Sequence, residues 1–259
     1  MPLSRRDLLT SAAAATLFPA AARAQDQDDD TDSTENTMVP PGREITVHPK
    51  GHASFVMRTP AGVLYVDPVG DPSNYEDVPP PDLILITHEH GDHFAPETLS
   101  VLSERAGIIS NLGAFGKMPP SLQERAVTLR NGGGHSFGGV TIEALPAYNL
   151  TPERRQFHPR GRDNGYLLTL PGPFRVYVSG DTEDIREMRG MRAIDMAFVC
   201  MNLPFTMDHF SAASAVNQFK PRVVVPYSFR GEGEGGTQDP REFAKLVGDH
   251  TKVQIGRWY

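Results

Sequence analysis

The chain has 259 residues, of which 39% are hydrophobic and 22% charged, with a formal net charge of −7. That is enough for one domain with a substantial core, and no apolar run after the N-terminal segment is long enough to cross a bilayer. Six acidic residues fall between Asp26 and Glu35, so the rest of the chain is close to neutral and lacks the basic surplus of a nucleic-acid-binding face.

The first residues read as an address. Ser4-Arg5-Arg6-Asp7-Leu8-Leu9 leads into an Ala-rich stretch and then Ala22-Arg23-Ala24, a small-x-small cleavage pattern. The paired arginines resemble the twin-arginine translocation signal, a bacterial route for proteins that fold before export. That resemblance implies a signal peptide over 1–24 and cleavage before Gln25. It further implies passage through the twin-arginine export machinery to the periplasm or beyond, with no stable membrane insertion after cleavage. Residues 25–42 are acidic and poor in large apolar side chains, and read as a disordered linker.

From Arg43 onward, short apolar runs alternate with Gly- and Pro-rich punctuation. Strands are expected at Glu44–His48, Ser54–Arg58, Gly62–Asp67, Asp82–Thr87, Gly107–Ser110, Ala126–Leu129, Val140–Leu145, Tyr166–Leu170, Arg175–Ser179, Met196–Cys200 and Arg222–Val225. Helices are expected at Pro96–Glu104, Ser211–Phe219 and Asp239–Val247, each behind a Pro or polar start signal. Leu83-Ile84-Leu85-Ile86 is apolar without alternation, the pattern of a strand buried on both faces, so two sheets with helices outside are expected. Cys200 is the single cysteine, which excludes an internal disulfide; its apolar surroundings read as those of a core thiol.

The chemistry concentrates after the fourth expected strand. His88, His90, Asp92 and His93 lie within six residues, and three imidazoles with a carboxylate suit a borderline-soft divalent cation. Zinc (Zn2+) fits best, as one or two ions, with manganese or iron as alternatives. Gly91 is expected to permit a sharp turn there.

Thr-His-x-His-x-Asp-His after a hydrophobic strand resembles the signature of the metallo-β-lactamase fold superfamily. The segments ending in Asp67-Pro68 and in Gly180-Asp181-Thr182 resemble that family's flanking motifs. Gly51-His52-Ala53-Ser54 and Pro146-Ala147-Tyr148-Asn149 resemble the branch of uncharacterised metal-dependent hydrolases related to ascorbate-phosphate lactonase. The resemblance covers about residues 44–247 and implies an α/β (α+β) fold, the four-layer αββα sandwich. It also implies that His88 and His90 hold a first metal, Asp92 and His93 a second, and that Asp181 bridges them. The alternative for Asp181 is a cap on a helix at Glu183–Met188. For the third imidazole of the first metal His158 is favoured, with His135, in an expected hairpin turn, as the alternative. His52 reads as a residue behind the ligands or in the cleft.

One position departs from the family. Where a histidine usually completes the second metal, Pro226-Tyr227-Ser228 places Ser228, a poor zinc ligand, and His209 is the alternative replacement. The resemblance implies a small-molecule substrate and hydrolysis of an ester, lactone, amide or phosphodiester by metal-activated water, with Asp92 orienting the nucleophile and taking its proton. Tyr148, Asn149 and Tyr227 are candidate donors to the substrate, and Arg154, Arg155, Arg160 and Arg162 a candidate anion cluster. The alternative is a non-catalytic metal- or ligand-binding protein of the same fold, with the second site degenerate at Ser228.

Overall fold

The computed structural model describes residues 45–233 and 235–259. The signal segment read at 1–24 and the linker at 25–42 lie outside the described residues. Among the described residues no helix is long and apolar enough to cross a membrane.

The first half contains β1 (Thr46–Gly51), β2 (Ser54–Thr59), β3 (Gly62–Val66), β4 (Leu83–Ile86), α1 (Pro96–Leu102), β5 (Gly107–Ser110), α2 (Leu112–Lys117), α3 (Pro120–Gln123) and β6 (Ala126–Thr128). Its strands pair in chain order; β1, β2 and β3 are antiparallel, and β3 through β6 run parallel. The second half contains β7 (Gly134–Phe137), β8 (Val140–Ala147), β9 (Asp163–Leu170), β10 (Phe174–Val178), α4 (Arg186–Arg189), β11 (Met196–Cys200), α5 (His209–Phe219), β12 (Val223–Tyr227), α6 (Pro240–Leu246) and β13 (Lys252–Val253). Here β7 to β10 are antiparallel and β10 to β13 parallel.

β4 shows how the layers arise. Leu83 and Leu85 join the core between the two sheets, whereas Ile84 and Ile86 point the other way, into the core shared with Leu99 of α1, Ala114 of α2 and Leu122 of α3. Strand side chains alternate in direction, so an unbroken apolar strand needs a partner layer on each face. On the far side of the second sheet, Phe219 of α5 meets Tyr177 edge-on at 6.2 Å. The order helix, sheet, sheet, helix is the αββα sandwich expected from the sequence.

The structure departs from the expected elements in several places; the short helices α3 and α4, for example, were not among the helices expected. β7 and β13 are short edge strands without a β-branched run. α2 carries two glycines and would not form on propensity, but Asn111 caps it by accepting from Ala114 N–H at 2.9 Å, and Ala114 is buried. β9 begins at Asp163, three residues earlier than expected. Cys200 is fully buried in the core, and burial pushes its thiol up to about 12, so it carries no thiolate at neutral pH.

The parallel strands of both sheets end at one edge. Tyr166 on β9 donates its hydroxyl to Ile86 O at 2.7 Å, and Asn164 N–H donates to Thr87 O at 3.1 Å, which ties the end of β4 to the second sheet. In open α/β sheets, ligands bind outside the carboxyl ends of parallel strands.

Candidate metal centre

Four loops leave those strand ends. Asp67 follows β3, His88 to His93 follow β4, Gly180-Asp181 follows β10 and Ser228 follows β12. Gly180 takes a left-handed φ of +61°, and a Cβ there would lie 2.5 Å from Asn164 O, so the approach that carries Asp181 inward is open to glycine alone. Gly91, by contrast, is outside the left-handed region and its Cβ position is open. The expected glycine turn is instead a helical-type turn, with His93 N–H and Phe94 N–H both donating to His90 O.

The structure brings His88, His90 and His158 together, with one ring nitrogen of each within 4.8 Å of the others. His88 Nε2 and His90 Nδ1 face each other at 3.1 Å. His158 Nδ1 is held by Asp163 Oδ2 at 2.9 Å, so its Nε2 points inward, 3.6 Å from Asp181 Oδ2. Asp163 is fully buried and bound by Arg162 Nε at 2.7 Å. A carboxylate behind a histidine fixes ring orientation and tautomer and raises ligand basicity. Burial, with help from neighbouring imidazoles, pushes His88 well below the usual histidine range, and the same causes lower His90. Both therefore present neutral rings, the form that binds metals.

A second group lies beside the first. His93 Nδ1 sits 2.7 Å from Asp67 Oδ2, and Asp67 also accepts from Thr87 N–H at 2.8 Å and Thr87 Oγ1 at 2.7 Å. His93 Nε2 faces Asp181 Oδ1 at 3.3 Å and Asp92 Oδ2 at 4.0 Å, yet it is buried without a hydrogen-bond partner. Burial opposes a charge on His93, but the carboxylates of Asp181 and Asp67 outweigh it and favour positive charge at Nε2, a charge that a divalent cation would supply in place of the proton. Burial alone would raise Asp181; the facing imidazoles of His93, His158 and His88 hold it well below the carboxylate range.

A buried orphaned nitrogen, two facing ring nitrogens and a buried carboxylate between them form a pocket built to enclose positive charge. The residues present fit divalent cations: His88, His90 and His158 could hold one, and Asp92 and His93 another, with Asp181 reaching both. Asp181 is no helix cap, because α4 starts only at Arg186.

Other expected residues fall elsewhere. His135 lies on β7 paired with Ile142, not in a turn, and among the described residues no group of candidate ligands includes it. His209 gives Nδ1 to Gln238 Oε1 at 2.6 Å, while Asp208 caps α5, so His209 does not stand in for the missing histidine. Tyr227 is fully buried among Phe55, Phe198 and Trp258, because strand alternation turns it into the core between the sheets, away from the cleft. Asn149 spends its amide on Arg154 O and Phe205 O, and Tyr148 donates to Glu187. Neither side chain has a donor left for a substrate in this arrangement.

The arginines are also mostly engaged locally. Arg154 pairs with Glu183 at 3.0 Å, and Arg155 donates to Leu150 O. Arg160 lies over the Tyr148 ring. Arg162 alone reaches the histidines, 3.4 Å from His90 Nε2, and lines a cavity of about 310 Å³ with Arg130 and Arg160. A larger cavity of about 540 Å³ is lined by Tyr65, Tyr75, Asp82 and Arg105. It lies at the opposite end of β4 from His88 and contains none of these ligands.

Asp163 and Thr87 escaped the sequence reading. Asp163 carried one usable signal, a carboxylate immediately before an apolar strand in Asp163-Asn164-Gly165-Tyr166.

A family model described as the beta-lactamase superfamily domain matches residues 46–228. The chain is 31% identical over 198 residues to a UPF0173 metal-dependent hydrolase of Anaeromyxobacter dehalogenans, covering 69% of this chain and 72% of that one. It is 30% identical over 217 residues to a UPF0173 metal-dependent hydrolase of Pyrococcus abyssi, covering 79% and 93%. The crystal structure of a protein assigned as a metal-dependent hydrolase from Parabacteroides distasonis superposes with a TM-score of 0.72 and 37% identity, over 85% of this chain and 96% of that one.

Proposed function

The chain belongs to the UPF0173 metal-dependent hydrolases of the metallo-β-lactamase superfamily, and from that premise we propose that it is an exported zinc hydrolase acting on an ester, lactone, amide or phosphodiester. The observation that carries the site assignment is the convergence of three imidazoles on one side of Asp181 and of His93 and Asp92 on the other. Imidazole-rich donor sets favour zinc over manganese. A divalent cation in such a site supplies Lewis acidity and lowers the pKa of a water molecule to about 7.

The chain's own residues do the rest. Asp163 and Asp67 hold His158 and His93 with Nε2 inward. Asp92 is half-exposed at the mouth, its Oδ2 3.1 Å from His52 Nε2. Burial would raise its carboxyl, but hydrogen bonding to His52 and the charge of His93 lower it overall, so it stands ionised and ready to orient water and accept its proton. Arg162, beside His90, offers a positive edge to the acyl or phosphoryl oxygens of a substrate. Within the family we place the chain near ascorbate-phosphate lactonase, on the segments at Gly51–Ser54 and Pro146–Asn149, and lactones therefore head the list of substrates.

The test is a substrate panel of lactones, esters, amides and phosphodiesters on metal-loaded protein. Asp92→Ala is expected to lower kcat/KM by roughly 10²–10⁴-fold, the span of general base catalysis, on whichever class is turned over. Equal rates for the two proteins on every active substrate would overturn the proposal.

Export rests on Arg5-Arg6 and the cleavage pattern at Ala24. Replacing both arginines with lysine is expected to leave the precursor in the cytoplasm. Undiminished appearance of processed protein in the periplasmic fraction would refute the twin-arginine route.

A further inference from the structure

We propose that His52 supplies the imidazole that Ser228 cannot, so that the second ion position is built from His52, Asp92, His93 and Asp181. This deepens the metal-hydrolase reading and rests on it.

The first support is position. His52 Nε2 lies 3.1 Å from Asp92 Oδ2 and 3.2 Å from Ser228 Oγ. One ligand atom each from His52, Asp92 and His93 fall within 4.8 Å of one another. The rings of His52 and His93 stand nearly perpendicular, at 84°, with centroids 5.8 Å apart. The imidazole from the β1–β2 turn thus occupies the side of His93 and Asp181 on which Ser228 stands.

The second support is the backbone. His52 and Ser228 both adopt left-handed φ, +47° and +45°, a region non-glycine residues rarely enter. Ser228 N–H donates to His52 O at 3.0 Å, joining the two turns directly. Strained backbone that persists at a ligand site marks a geometry the surroundings enforce. The Ser228 hydroxyl accepts from Asn202 Nδ2 at 3.0 Å and donates to Asp181 Oδ1 at 3.3 Å, so it props a candidate ligand and is not itself free to be one.

The third support is a shared pattern. His93 and His158 each have Nδ1 held from behind by an oxygen while Nε2 faces the pocket. His52 repeats this, with Nδ1 2.8 Å from the Tyr259 hydroxyl. That hydroxyl also accepts from Arg230 N–H at 3.2 Å, and the Arg230 guanidinium covers the ring at 4.0 Å. In the tautomer that donates Nδ1–H to Tyr259, the Nε2 lone pair would turn to an ion held between Asp92 and His93, in place of the proton that Nε2 otherwise gives to Asp92. Oxygen partners of this kind behind a ring are what orient metal-binding histidines.

The experiment measures zinc binding to the full chain by equilibrium dialysis and metal analysis, with cobalt substitution to read coordination from the visible spectrum. Wild type is expected to take two ions. His52→Asn keeps a residue that tolerates left-handed φ. It should leave the first ion unchanged and weaken the second by more than about tenfold, the loss seen when even an outer partner of a ligand is removed. Ser228→Ala should bind both ions as wild type does, and adding Ser228→His to His52→Asn should recover the second. Tyr259→Phe, which only removes the hydroxyl, should weaken the second ion by a smaller factor and carries the test if His52→Asn does not fold.

Unchanged second-ion affinity in His52→Asn, or in Tyr259→Phe where that variant stands in, overturns the assignment, as does a wild type that takes only one ion. Two ions held in a His52-dependent way with no hydrolysis on any substrate would instead sink the hydrolase reading and leave His52 as a ligand.

Discussion

Asp181→Ala is expected to leave the protein with less than one bound ion per chain and to reduce hydrolysis on the order of 10³-fold or more, the scale of losing a preorganised charge in a water-excluded site. The reason is geometric. Its Oδ1 lies 3.3 Å from His93 Nε2 and its Oδ2 3.6 Å from His158 Nε2, so one carboxylate serves both groups of ligands. It is buried, and its low pKa reflects the imidazoles around it, so alanine removes the negative charge that faces both groups of candidate ligands. Asp181→Asn keeps the shape without the charge and separates packing from electrostatics. Metal analysis after gel filtration, paired with rates on an active substrate, checks both halves. An alanine variant that keeps its metal and stays within tenfold of the wild-type rate would show that Asp181 is not the shared ligand.

Phe198→Ala is expected to cost about 3–5 kcal/mol of stability, the usual range for emptying an aromatic core site. Phe198 on β11 is fully buried and stacks on Phe55 of β2 with centroids 4.1 Å apart and planes within 16°. Tyr227 meets it edge-on at 6.1 Å. The contact joins the two sheets, and β2 and β11 are each held by neighbours on both sides, so neither backbone can close over the gap. Phe198→Leu refills much of the volume and should lose distinctly less. Chemical denaturation of the metal-loaded proteins gives the comparison; a loss below about 1 kcal/mol for alanine, far under the range for such sites, would contradict the packing described.

The same contact bears on the site, because the sheets carry different candidate ligands. His88, His90, Asp92 and His93 belong to the first sheet's loops, whereas His158 and Asp181 belong to the second's. Aligning both sets at one edge requires the sheets to be fixed face to face. That is the link from apolar burial to chemistry in this fold.

The layered architecture was legible from the residues because its signal is local. An unbroken Leu83-Ile84-Leu85-Ile86 run has to be buried on both faces, and six residues carrying three imidazoles and a carboxylate declare a metal loop without help from the rest of the chain. α2 was not legible: its glycines argue against a helix, and only its cap and a buried Ala114 offset them.

The remainder of the site depends on groups far apart in sequence. His158 was reached through a family resemblance, but the Asp163 behind it depends on where β9 begins, which packing against β4 decides. Tyr227 and Ser228 are adjacent in sequence; the first was read as a candidate donor to the substrate and the second as standing in the place of the second-metal histidine. Strand alternation buries the first between the sheets, and a left-handed turn delivers the second to the ligands. The candidate metal loop from His88 to His93 was thus legible in the sequence alone. The company that loop keeps, with His52 beside Asp92 and Asp181 reaching both groups, was decided only by tertiary structure, because hydrogen-bond partners across two sheets follow from register and packing and leave no periodic trace in the chain.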